Sequence, residues 1–231
     1  MARKRKWTPV KPTAGICKEG AEETIHRALA LRHMELPVGD FITDALSTDI
    51  PGSAREILLS NVRDEENHDL ALGFIADAYG IDEKAEREAL ALQKAWIAHP
   101  DHTITKAMVA ERAVFFVLLP FLRFNGDAAM RTTSADISRD EQIHVATNSL
   151  VCRELGLDIS PSLDKLRKAT INWVMQPLSI NTSDRYLAKN FWLNSSDNLM
   201  YNGNAPELFA TKSARMPAFF EHSNVNLPQY A

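Results

Sequence analysis

Glu65-Glu66-Asn67-His68 and Glu141-Gln142-Ile143-His144 are the stretches on which the reading of this sequence turns. Each places an imidazole three residues after a carboxylate, so on a helix both side chains leave from neighbouring positions on one face. The same spacing occurs a third time, at Glu23 and His26. Composition alone gives roughly 0.5 occurrences, so spacing without context says little. Phase separates the three. At about 100° per residue, Glu65 falls in line with Leu58, Val62, Leu72 and Tyr79, with His68 about 60° away, and Glu141 and His144 with Ile137, Asn148, Val151 and Leu155. Glu23 and His26 instead share a face with Arg27 and His33, which reads as solvated, and that pair is set aside as a coincidence. Acidic and imidazole groups on buried faces are costly unless something compensates them.

Two further carboxylates complete a pattern. Glu35 precedes Glu65 by 30 residues and Glu111 precedes Glu141 by 30 residues. Each sits inside an apolar phase, Glu35 among Ala28, Leu31, Val38 and Ile42, and Glu111 among Ile104, Met108, Phe115, Leu118 and Leu122. Each half of the chain thus reads as a helix with one Glu, a turn, and a returning helix with Glu-x-x-His. Turn and cap residues divide the chain accordingly. One helix is expected from about Gly20 to Leu46, kinked at Pro37. Ser53 with Glu56 looks like a capping box opening the next, which Gly80 closes. Asp82, Thr103 and Thr133 with Asp136 open further helices, and Pro161 takes a first-turn position. Alternating polarity is scarce. The expected fold is all-α, a ferritin-like four-helix bundle core with extra helices and little or no sheet. It forms a single domain over 1–231, with an N-terminal arm at 1–19 and a loosely structured segment at 201–231. Bundles of this kind hold two metal ions between four helices.

The charge count agrees. Two divalent ions bring +4, four carboxylates bring −4 and neutral imidazoles add nothing, so the buried site is close to neutral. Oxygen-rich ligation with one nitrogen per ion suits iron or manganese better than structural zinc. The expected ligands are Glu35, Glu65, His68, Glu111, Glu141 and His144. The competing reading is a set of buried Glu–His hydrogen bonds with no metal.

Composition narrows the class. The chain has 231 residues, 45% hydrophobic and 24% charged, with a formal net charge of −4. That balance gives no reason to expect nucleic acid as a partner, and no run of about 18 apolar residues is present to span a membrane. Arg3-Lys4-Arg5-Lys6 leads into Trp7 and Thr8 rather than an apolar stretch, so it is not read as a signal peptide. Cys17 and Cys152 have no partners at zinc-ligand spacing and read as reduced thiols. The expected location is the cytoplasm.

Around the ligands the sequence resembles the small, radical-generating subunit of class I ribonucleotide reductase. ISRDEQIH (137–144) is close to that family's RDE-x-x-His motif. ERAVFFVLLPFL (111–122) looks like its third ligand helix, and DEENH (64–68) like its second. YNGNAPELFA (201–210) and PAFFEH (217–222) resemble the segment leading into its C-terminal tail. The resemblance implies an oxidoreductase subunit active only with a large subunit. It would activate O2 at two metal ions, Fe/Fe or Mn/Fe, for deoxyribonucleotide synthesis, and it would form a homodimer. It further implies that Leu72, Phe115 and Ile137 line an oxygen pocket, and that Asp140 hydrogen-bonds a ligand histidine. Trp7 would end a relay through Asp140, and Tyr230 would pass the oxidising equivalent to the large subunit. For Trp7 the alternative is an aromatic packed on the surface, and for Tyr230 a loose terminal side chain. One difference matters chemically. The family's radical-bearing tyrosine stands four residues after the second-helix His, and here that position is Leu72. An independent dimetal oxidase or oxygenase on the same scaffold is the alternative function.

Overall fold

The computed structural model describes residues 6–48, 50–205 and 207–208. The helices, in chain order, are α1 (Glu22–Ala30), α2 (Glu35–Leu46), α3 (Gly52–Tyr79), α4 (Glu83–Ala98), α5 (Thr103–Ala110), α6 (Phe116–Asn125), α7 (Ala128–Glu154), α8 (Pro161–Met175) and α9 (Lys189–Asn202). Among the described residues there is no strand, only an isolated bridge between Ser179 and Ala188. Among the described residues no helix is long and apolar enough to cross a membrane.

Several ends follow local chemistry. Gly80 closes α3 at φ +108°, a conformation that favours glycine, and its N–H returns to the Ala76 carbonyl. The Asp82 side chain caps α4 by accepting from Ala85 N, and Ser160 caps α8 ahead of Pro161.

Other ends differ from the sequence expectation. No side chain caps α3, which begins at Gly52, so Ser53 and Glu56 do not form a capping box. His102, not Thr103, caps α5 through its ring nitrogen. Helix α7 begins at Ala128, five residues before Thr133, because Asp127 accepts from Met130 N and so supplies an earlier cap. Glycine is required just ahead of it, since a Cβ on Gly126 would lie 2.5 Å from the Leu122 carbonyl and 2.6 Å from the Met130 side chain.

The two helices expected to carry a single Glu are both interrupted beside that residue. Between α1 and α2 the chain makes a 3-10 turn, Leu31–Met34, and Glu35 begins α2. Pro37 cannot donate to the His33 carbonyl, which accepts from Gln93 Nε2 on α4 instead. The break therefore lies upstream of the proline. Between α5 and α6, Glu111–Phe115 forms a π turn closed by Phe116 N–H on the Glu111 carbonyl. The Ala113 carbonyl within it accepts from Ser196 Oγ on α9 at 2.6 Å, and Arg112 Nε donates to the Leu199 carbonyl at 2.8 Å.

Helix α2 packs on α3 and α5, and α7 packs on α3, α5 and α6. The segments bearing the six candidate ligands thus close a ring. Helix α1 lies against α3, α4, α6 and α8. This corrects the expected solvated face: Arg27 is buried, donating to the Trp173 carbonyl of α8 and to Gln176 just beyond that helix, while Glu23 beside it is exposed. Residues 6–18 run outside regular structure but are tied down, with Gly15 N on Asp127 Oδ2 and Lys18 N on the Asn125 carbonyl. Helix α9 extends to Asn202, into the segment expected to be loose from 201.

Candidate metal centre

Glu35, Glu65, His68, Glu111, Glu141 and His144 are all buried, none more than 1% exposed. The ring of helices turns them toward one point. The inner nitrogen of His68, Nδ1, lies 3.3 Å from Glu141 Oε1, 3.6 Å from Glu65 Oε2 and 3.7 Å from Glu35 Oε2. The inner nitrogen of His144, again Nδ1, lies 3.0 Å from Glu65 Oε1 and 3.7 Å from both Glu111 Oε1 and Glu141 Oε1. Glu65 and Glu141 face both imidazoles, while Glu35 attends His68 and Glu111 attends His144.

These close approaches are not hydrogen bonds. Both oxygens of Glu35, Glu65 and Glu141, Oε1 of Glu111 and both Nδ1 nitrogens are buried without a hydrogen-bond partner among the described residues. Leaving one buried polar atom unsatisfied costs about 1–3 kcal/mol, more if charged. A cluster of such atoms with no compensation would therefore oppose folding strongly. The ligand atoms fall into two sets, Glu35, Glu65, His68 and Glu141, and Glu65, Glu111 and His144, each within 4.8 Å of one another. Carboxylate oxygens and imidazole nitrogens are the donors that hard and borderline cations take. The cluster can hold metal ions.

The outer sides are satisfied by a crossed arrangement. His68 on α3 donates through Nε2 toward Asp140 Oδ2 of α7 at 3.4 Å, and His144 on α7 donates through Nε2 to Asp64 Oδ2 of α3 at 3.1 Å. Each aspartate directly precedes the ligand glutamate of its own helix. A carboxylate on the far nitrogen fixes the tautomer that turns Nδ1 inward and makes it a better donor. Asp140 Oδ2 also accepts from Trp7 Nε1 at 2.7 Å, and the Trp7 and His68 rings lie stacked with centroids 6.2 Å apart. Asn148 Nδ2 donates to Glu111 Oε2 at 2.6 Å.

Burial and mutual proximity shift the ionisable groups of the cluster in opposite directions. Burial, and then the neighbouring carboxylates, hold the carboxyls of Glu35 and Glu111 well above the ordinary carboxylate range. Burial acts the same way on Glu65 but is outweighed by His144 and His68, which hold its pKa down. Burial opposes charge on the imidazoles, yet the surrounding carboxylates outweigh it, raising His68 well above its usual value and His144 to about 10.

The structure brings all six expected ligands together and joins Trp7 to Asp140. Leu72, Phe115 and Ile137 are buried. His26 is half-buried on α1 with its ring against Tyr79, centroids 4.9 Å apart. Tyr230, and the stretch 217–222, lie outside the described residues. Two participants escaped the sequence reading, Asp64 and Asn148. Both left a signal: Asp precedes both Glu-x-x-His motifs, and Asn148 is an amide within an apolar phase.

The chain was compared with protein-family models, with curated proteins and with solved structures, and none of them matches it.

Proposed function

We propose that the chain is a ferritin-like dimetal carboxylate protein, its ligand helices forming the four-helix bundle core. We propose further that it works as the small subunit of a ribonucleotide reductase. The observation that carries the metal reading is the set of buried, unpartnered carboxylate and Nδ1 atoms enclosed by two crossed Asp–His pairs. The reductase reading adds the Trp7–Asp140–His68 chain and the motifs around it.

When bound, a pair of ions, Fe/Fe or Mn/Fe, would supply the redox chemistry with O2. The protein's own contribution is positional. Glu35, Glu65, His68 and Glu141 would hold one ion, and Glu65, Glu111 and His144 the other. Leu72, Phe115 and Ile137 are apolar and buried, and keep water from their surroundings. Asp140 Oδ2 accepts from Trp7 Nε1–H and lies within reach of His68 Nε2–H, so this one oxygen holds the indole proton on the side facing the ligand histidine. A homodimer and a large-subunit partner belong to the same reading.

The test is reconstitution with iron or manganese and iron, addition of a reductase large subunit and a ribonucleotide, and measurement of deoxyribonucleotide. A second reading, an independent dimetal oxidase or oxygenase, is favoured by Leu72, which fills the expected tyrosine position with an aliphatic side chain. Oxidation of a small organic substrate without any large subunit would support it.

A further inference from the structure

The two halves of the centre are related by a shift of 76 residues along the chain. Glu35 corresponds to Glu111, Glu65 to Glu141 and His68 to His144, and the aspartates Asp64 and Asp140 correspond as well. One more pair follows from the same shift, and it breaks the symmetry: Leu72 corresponds to Asn148. Asn148 is buried, and its Nδ2 donates to Glu111 Oε2 at 2.6 Å. Leu72 can donate nothing, and both oxygens of Glu35 are without a hydrogen-bond partner among the described residues. The two glutamates therefore differ in what they can offer. Glu35 has two uncommitted oxygens, and Glu111 has one.

We propose that Asn148 makes the two metal positions inequivalent by committing one oxygen of Glu111, so that the Glu35/His68 position binds its ion more tightly and fills first. The proposal rests on the dimetal reading above. Two features support it besides the hydrogen bond. The set of side chains within mutual ligand distance has four members with His68 included and three with His144 included, Glu141 belonging to the His68 set although its Oε1 also lies 3.7 Å from His144 Nδ1. Glu111 is also held from behind, since it opens the π turn whose Ala113 carbonyl is bound by Ser196 Oγ, itself an acceptor from buried Arg167 Nη1 at 2.6 Å. Glu111 thus has little freedom to turn its second oxygen inward. Glu35 follows a turn anchored by Arg32 on Glu86, but nothing among the described residues binds its carboxylate oxygens from outside.

The experiment titrates the full metal-free chain with Mn2+ alone under anaerobic conditions, reading free and bound ion by electron paramagnetic resonance. The wild-type chain is expected to bind two ions in steps separated by about ten-fold or more in Kd, roughly 1.4 kcal/mol. Asn148→Leu, which gives position 148 the residue found at 72, frees Glu111 Oε2. It should tighten the second step toward the first and leave the first unchanged. Loss of a merely structural contact would weaken binding, so the direction of the change separates the two roles. Asn148→Ala should act in the same direction and serves if the leucine variant does not fold. Two equal steps in the wild type, or a weaker second step in the variants, would overturn the inference while leaving the dimetal centre intact. A wild-type chain that binds no Mn2+ would overturn both.

Discussion

Trp7 and Asp140, 133 residues apart, are joined by a 2.7 Å hydrogen bond from the indole Nε1 to Oδ2. The same oxygen lies 3.4 Å from His68 Nε2, so an aromatic ring of the N-terminal arm is linked through two polar contacts to a candidate metal ligand. Trp7→Phe keeps the ring but deletes the donor. With a large subunit present, this variant should lose deoxyribonucleotide formation while keeping wild-type metal content. Wild-type turnover in Trp7→Phe would remove Trp7 from the relay.

The crossed pairing gives a second expectation. Asp64 orients His144 as Asp140 orients His68, and Asp140 in addition accepts from Trp7. Asp64→Ala should lower metal affinity by about 10–100-fold, the range seen when outer carboxylates are removed from ligand histidines. Metal-binding isotherms of wild type and variant check this. An unchanged affinity would mean that the His144–Asp64 contact does not orient the ring.

Much of this centre was legible because its residues violate an otherwise regular pattern. Glu35, Glu65, Glu111 and Glu141 each interrupt an apolar helical face, and periodicity exposes such misfits. What stayed hidden depends on distant partners. The π turn at Glu111 has no local signature, since Ser196, 83 residues beyond Ala113, binds a carbonyl within it. Arg27 looked solvated because nothing near it in sequence announces that α8 will cover it. Pro37 marked a break, but the loss of its N–H acts on His33, four residues back, so the irregular turn precedes the proline. Trp7 carries no local cue to its role, because its partner Asp140 lies on α7, 133 residues further along the chain.

Removing metal should both destabilise the chain and change its proton content. At free metal of about 100 times Kd, binding contributes roughly 2.7 kcal/mol, which corresponds to about 5–10 °C in Tm for a chain of this size. Without metal, the raised pKa values of Glu35, Glu111, His68 and His144 keep protons on these groups at pH values where exposed carboxylates have lost theirs. Metal must displace those protons, so affinity falls as pH falls, and loading two ions should release up to about four protons per chain. Calorimetry in two buffers of different ionisation enthalpy counts them. Loading without proton release would contradict the charge states described here.

Leu72 sets the expectation for the oxidised state. A phenoxyl radical needs a tyrosine beside the metals, and Tyr79 stands seven residues further along α3, about 10 Å along the axis. After reconstitution with metal and O2, electron paramagnetic resonance should show a metal-centred signal or none. A stable tyrosyl signal would contradict this, and its loss in Tyr79→Phe would locate the radical on that ring.

Metal content per chain tests the central claim most directly. After reconstitution and removal of loosely bound ions, elemental analysis should find two ions per chain in the wild type. Glu111→Ala and His144→Ala should each lose most of that metal, whereas His26→Ala, whose ring packs on Tyr79, should keep it. A wild-type chain that retains no metal, or a His26→Ala variant as depleted as His144→Ala, would contradict the account.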